Sequence, residues 1–185
     1  SAPADETGRG AGNEKWGDGV SKEQQGSPAT ADICDAMGDE ATVCETAFRD
    51  FGAKSVFSGT IVTVATFEDN LNLREVLAGD GAGKVLVVDG GASKRRALVG
   101  GNVAQLAAEK GWAGLIINGC VRDAHEIADA ALGVKAIATN PRRPLKNGIG
   151  TVGEAVKFGG VTFRPGECVY ADGDAVVVTA RPFTG

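Results

Sequence analysis

Gly101, Arg122, Asp123 and Glu126 are the residues of this chain whose types and spacing suit chemistry. Arg122-Asp123 follows Gly101 after twenty intervening residues, and Glu126 stands three positions past Asp123. Gly100-Gly101-Asn102 opens a helical stretch, and a helix start offers free backbone N–H groups to an anion. Arg122-Asp123 comes after the apolar run from Gly114 to Asn118, and α/β folds place ligands at the ends of such buried parallel strands. An Arg fork grips a carboxylate bidentately and stays charged at any working pH. An Asp carboxylate is a hard oxygen ligand suited to Mg²⁺ or Mn²⁺. Such a pair would hold a carboxylate substrate and a divalent metal side by side. It would equally serve as an ion pair at a helix start.

The neighbouring residues leave similar alternatives. If a helix begins after Asp123, Glu126 shares its face and could hold a water or act as a base, or merely favour the helix dipole. His125, the only histidine, is turned by one helical step away from both acids. Asn70 either donates to a substrate oxygen or caps the helix that follows it. Asp89-Gly90-Gly91, at the strand edge shared with Asn118-Gly119, reads as a tight turn or else as a site wall where substrate approaches backbone. A lone histidine without Gly-x-Ser-x-Gly argues against a Ser-His-Asp hydrolase, and the Gly-rich segments lack the P-loop pattern.

The elements that must position these residues form a mixed α/β pattern. Thr30 is expected to cap a short helix that Gly38 closes. Gly59 to Phe67 is β-branched and alternating, hence a strand. Leu71 to Leu77 reads as a helix, and Lys84 to Asp89 as a strand buried on both faces. Asn102 to Lys110 has helical spacing, with Asn102 as cap and Gly111 as stop. Gly114 to Asn118 is a second buried strand, and strand–helix–strand order makes this a right-handed parallel unit. Lys135 to Thr139 is a third parallel strand. Beyond Pro141, four short strands separated by Gly-rich turns (155–158, 161–163, 167–171 and 175–179) close the end in antiparallel fashion.

The chain has 185 residues, enough for one domain with a substantial core. Its net charge of −5 argues against nucleic-acid or membrane-surface partners, and the short basic runs Lys94-Arg95-Arg96 and Arg142-Arg143 read as solvated loops. Four cysteines without C-x-x-C spacing fit neither a disulfide scaffold nor a zinc site, and suggest a reducing, cytoplasmic compartment. No apolar run is long enough to span a membrane. A first residue other than Met leaves a removed targeting peptide open. Residues 1–29 are polar and Gly-rich, and read as a flexible or loosely docked extension to a domain covering 30–185, with Trp16 as a possible anchor.

Several ordered blocks resemble the RraA-like family, which includes regulators of ribonuclease E activity and class II 4-hydroxy-4-methyl-2-oxoglutarate aldolases. They are Phe67–Asn70, Val85–Gly91, Gly111–Leu115 with Asn118–Asp123, and Phe158–Phe163 with Tyr170–Asp172. The resemblance covers roughly residues 30 to 180 and implies a β/β/α swivelling-type domain with mixed sheets, assembled as a homotrimer or hexamer with sites at subunit interfaces. Gly101, Arg122, Asp123 and Glu126 are similar to the motif of the aldolase members, whereas the ribonuclease-inhibitor type lacks the Asp after the Arg. The resemblance therefore implies a metal-dependent aldolase and oxaloacetate decarboxylase that acts on small 2-oxo acids and releases pyruvate. In that reading Arg122, Asp123 and Glu126 are catalytic, and Asp123 ligates Mg²⁺ or Mn²⁺. Gly100, Gly101, Asn102, Arg122 and Asn70 bind substrate. Where some aldolases carry Asp, this chain has Gly101, so Glu126 or a neighbouring subunit must supply that acid. Ala175 stands where relatives usually have Gly, and would be strained if its turn required a positive φ. The alternative is a protein-binding regulator with a ribonuclease partner and no catalysis.

Overall fold

A continuous apolar strand must be covered on both faces, and the central strands of this chain are built that way. The computed structural model describes residues 26–185, so the expectations for the N-terminal extension up to position 25, Trp16 included, lie outside the described residues. In chain order the strands are β1 (Ala41–Val43), β2 (Arg49–Asp50), β3 (Phe57–Ala65), β4 (Lys84–Asp89), β5 (Ala97–Val99) and β6 (Gly114–Val121). They continue with β7 (Gly133–Thr139), β8 (Thr151–Val152), β9 (Val156–Phe158), β10 (Val161–Phe163), β11 (Cys168–Ala171) and β12 (Val176–Thr179). The helices are α1 (Thr30–Met37), α2 (Leu71–Leu77), α3 (Gly101–Glu109) and α4 (Ala124–Ile127).

The main sheet has ten strands, with the path β1-β12-β11-β3-β4-β6-β7-β2, while β5 pairs with β6 and β8 with β3. Strands β3, β4, β6 and β7 run parallel, and β11, β12 and β1 extend the sheet in antiparallel fashion. This is the expected parallel core closed by antiparallel strands. Alternation along β4 divides the core. Leu86 and Val88 face one apolar layer with Leu73 and Leu77 of α2 and Ala104 and Ala107 of α3. Val85 and Val87 face the other, with Phe158, Val161 and Phe163 of the β9–β10 hairpin. Burying each such aliphatic side chain contributes roughly 1.5–3 kcal/mol.

Several expectations change. Thr30 is the first residue of α1 rather than its cap, which is Ala29. Thr30 instead donates its N–H and Oγ1 to the Asp172 carboxylate, both at 2.8 Å, pinning α1 to the far end of the chain. Strand β3 starts and ends two residues early, at Phe57 and Ala65. β6 runs on to Val121, so Asn118-Gly119 lies inside the strand and no longer marks an edge. Pairing on both sides prolongs β6: β7 pairs Ala138 with Cys120 and Thr139 with Val121, and β5, which the sequence pattern did not reveal, pairs Ala97 with Cys120 and Val99 with Val121. The turn before β12 closes without a positive φ at Ala175, so no strain arises there.

Candidate active site

The end of β6 and the start of α3 meet because Arg122 N–H donates to the Val99 carbonyl at 2.9 Å, one residue before the α3 cap. That cap is Gly100, not Asn102, which is the second residue of the helix and exposed. Asp123 follows Arg122 in a left-handed conformation, φ 55° and ψ 46°, and caps α4. The expected helix after Asp123 is therefore present, though only four residues long. Left-handed backbone is uncommon for a non-glycine residue and is best tolerated by Asn and Asp. Its effect here is to turn the Asp123 carboxylate back toward α3. Oδ2 accepts a hydrogen bond from Gly101 N–H at 3.3 Å and lies 4.0 Å from Arg122 Nε.

This arrangement revises which amides are free. Gly101 N–H is engaged by Asp123, whereas the N–H groups of Asn102 and Val103 meet no protein acceptor among the described residues. An anion at this helix start would therefore bind one residue further along than the Gly-Gly pair suggested.

Glu126 reaches over Gly101 from α4. A side chain at position 101 would overlap Glu126 Oε2 and approach Glu126 Cβ to 2.8 Å. Glycine at 101 thus clears the space that the Glu126 carboxylate fills, and a methyl group there would displace it. His125 points into solvent, its side chain 84% exposed, with Nε2 3.8 Å from Glu126 Oε1.

A cavity of about 250 Å³ lies at this junction, lined by Gly100, Gly101, Asn102, Arg122, Asp123 and Asn70. Glu126 is on its flank and is not part of the lining. Asn70 is buried and does not cap α2 through its side chain. Its Nδ2 donates to the Leu98 carbonyl at 3.1 Å, and Oδ1 has no hydrogen-bond partner. That Oδ1 is itself buried, and Nδ2 carries a second N–H, so Asn70 keeps the donor that the sequence suggested. Asp89-Gly90-Gly91 forms the expected turn, with Asp89 Oδ1 accepting from Gly91 N–H at 3.0 Å and from Asn118 Nδ2 at 3.1 Å.

Sequence reasoning missed the rest of the lining, which includes the cations Arg74, Arg143 and Lys146. They come from α2 and from the loop after Asn140, which the buried Asp69 carboxylate fastens by accepting N–H bonds from Leu71, Asn147 and Gly148. The two basic runs are also neighbours rather than separate loops. Ala97 N–H donates to the Arg142 carbonyl at 2.9 Å, and Arg96 Nη1 to the Arg143 carbonyl at 2.8 Å. The result is a basic seam running from Lys94 to the rim of the cavity.

The thiols take no part. Burial pushes the Cys120 thiol above its usual range despite Lys94, and burial likewise raises Cys168. Neither is a ready nucleophile. Among the described residues no three His, Cys, Asp or Glu side chains cluster as a metal cage. One exposed carboxylate beside a second acid suits Mg²⁺ or Mn²⁺, which keep several waters and take one or two protein carboxylates along with substrate oxygens.

A mixed sheet with few helices, and a helix start beside an Arg-Asp pair, make this an α/β protein with its candidate site at a strand end. The chain belongs to the RraA-like family, described as Aldolase/RraA, whose model matches residues 30–178. A relative from Azotobacter vinelandii is 50% identical over 153 residues, covering 83% of this chain and 94% of its own length. It bears the provisional name 4-hydroxy-4-methyl-2-oxoglutarate aldolase. A Pseudomonas fluorescens relative of the same name is 52% identical over 83% of this chain and 94% of its own. Among solved structures, the Thermus thermophilis RNA-processing inhibitor RraA superposes with a TM-score of 0.83 at 40% identity, covering 85% of this chain and 96% of that one. A Geobacillus kaustophilus structure titled S-adenosylmethionine:2-dimethylmenaquinone methyltransferase gives 0.83 at 48% identity, over 85% and 100% of the two chains. Among the described residues no helix is long and apolar enough to cross a membrane.

Proposed function

We propose that the chain is a divalent-metal-dependent lyase of 2-oxo acids, which cleaves 4-hydroxy-4-methyl-2-oxoglutarate to two pyruvates and decarboxylates oxaloacetate to pyruvate and CO₂. The observation that carries this reading is the convergence of Arg122, Asp123 and the α3 amides on one small cavity. The relatives' shared aldolase name supports it. Asp123 would hold Mg²⁺ or Mn²⁺, with Glu126 beside it. When bound, the ion supplies Lewis-acid polarisation of the 2-oxo group.

Arg122 and the amides of Asn102 and Val103 bind the substrate carboxylate and stabilise the enolate left when the C–C bond breaks. The electron pair of that bond passes to the 2-oxo oxygen. In the aldol reaction, Glu126 holds the water that takes the 4-hydroxyl proton. Decarboxylation needs no such base. Asp123→Ala is expected to lower Mg²⁺-dependent pyruvate release from oxaloacetate by at least about a hundredfold, the scale of losing a centre of charge stabilisation. Unchanged turnover in a coupled pyruvate assay would sink the assignment. We further propose that the chain assembles as a homotrimer or hexamer.

A non-catalytic regulator with a ribonuclease partner is the second reading, favoured by the likeness to the RNA-processing inhibitor. No pyruvate release with any divalent metal, together with tight binding to a ribonuclease, would select it. The methyltransferase activity named for the Geobacillus structure finds no support in the cavity. A lining rich in Arg and Lys repels a sulfonium cation and suits carboxylates.

A further inference from the structure

We infer that the cleft at the far end of the basic seam binds an oligophosphate group, of the kind carried by pyrophosphate and by nucleoside di- and triphosphates. The cleft measures about 480 Å³ and is lined by Glu68, Lys94, Arg95, Arg96, Asn140 and Arg142. None of these residues lines the α3 cavity, so the site does not depend on the chemistry proposed there. Four cations face one carboxylate, in a chain whose net charge is −5. That carboxylate is already engaged. Glu68 Oε1 accepts from Ser93 Oγ at 2.7 Å and from Arg95 Nε at 2.6 Å, and these bonds hold the group below the usual carboxylate range. Among the described residues Lys94, Arg96 and Arg142 have no ion pair, and only Arg96 spends a side-chain hydrogen bond, on the Arg143 carbonyl.

The lacing of the two loops fixes these cations in advance. Asn140 Nδ2 donates to the Lys94 carbonyl at 2.6 Å, while Asn140 Oδ1 accepts from Arg142 N–H at 2.9 Å. Arg95 is held from two sides, by Glu68 and by the Phe67 ring, over whose centroid it lies at 5.6 Å. Glu68 and Ala92 both have φ 57°, and the other non-glycine residue with a positive φ among the described residues is Asp123, at the candidate active site. Such backbone is costly and gathers at ligand clamps. Planar guanidinium forks match phosphate oxygens in pairs, and a cluster already in place loses little freedom on binding. The positive charge is confined to one cleft, and the rest of the chain is more acidic than its net charge. A compact anion therefore fits where an extended nucleic-acid strand is repelled.

The test is calorimetric titration of the full chain with inorganic pyrophosphate, orthophosphate and a short oligouridylate, in buffer freed of divalent metal so that the ligand is not sequestered. Pyrophosphate is expected to bind roughly tenfold or more tightly than orthophosphate, the scale of one added charge-assisted contact. Lys94→Gln and Arg142→Gln, whose side chains bond to nothing in the fold, should each weaken pyrophosphate binding at least about threefold. Arg122→Gln should leave it unchanged. The absence of saturable pyrophosphate binding, or an affinity unmoved in both seam variants, overturns the site. Loss of binding in Arg122→Gln alone would place the ligand in the α3 cavity and overturn it as well. Tighter binding of the oligouridylate than of pyrophosphate would do the same, by making the seam a nucleic-acid track.

Discussion

The contact between Gly101 and Glu126 gives position 101 a steric requirement independent of backbone conformation. Gly101→Ala would press its methyl group into the Glu126 carboxylate, with expected losses of about 1–3 kcal/mol in stability from overpacking. Adding Glu126→Ala removes the carboxylate overlap and leaves the Cβ contact, so in a thermal scan the double variant should melt above Gly101→Ala alone and below the wild type. The same pair explains the acid absent from position 101, because the Glu126 carboxylate occupies the space into which a side chain there would project. Glycine, Arg-Asp and the later acid were legible as a spacing because a strand end and a helix start are both short-range features. The direction of each side chain was not. Asp123 reaches Gly101 N–H only through its left-handed backbone, and Asn70 gives one of its two amide hydrogens to the Leu98 carbonyl.

At the scale of elements, α1 is held by the packing of Ile33 on Tyr170 and Val177 and by one carboxylate. Burial alone would raise the Asp172 pKa, but hydrogen bonds from Thr30, Asp174 and Ala175 outweigh it and hold the group below the usual carboxylate range. A depressed pKa means that the carboxylate stabilises the fold above its unfolded value of about 3.9, and that this contribution is lost as pH falls through the folded value. Thermal melts at pH 7 and pH 3 should therefore show an acid-sensitive component that Asp172→Asn flattens, at a cost of about 1–3 kcal/mol near neutrality. Elements with their own punctuation were readable in advance: α2 and β4 have the expected bounds because a cap or a Gly-rich turn flanks each. β5 was not readable, since three residues, Ala97-Leu98-Val99, become a strand only by pairing with the end of β6. Arg74 and Arg143 escaped notice for a similar reason. Their elements lie far apart in sequence and are joined through the Asp69 carboxylate and the Arg96 bond.

For the whole molecule, the surface carries two features that the net charge hides. Leu145, Ile149 and Val152, on the loop and strand that follow the cavity rim, are 38%, 50% and 51% exposed. Under the proposed trimer or hexamer, light scattering coupled to size exclusion should return three or six chain masses, and Ile149→Lys together with Val152→Lys should shift it toward monomer. The other feature is the basic seam from Lys94 to Arg143. By net charge alone, a chain at −5 repels a dianion, so raising the salt concentration would speed their encounter. A ligand approaching along the seam meets the opposite local field, and salt screens an attraction instead. Stopped-flow association of 2-oxoglutarate should therefore slow as ionic strength rises. The way two short loops are laced together would then decide how fast anions arrive, as well as which of them are held.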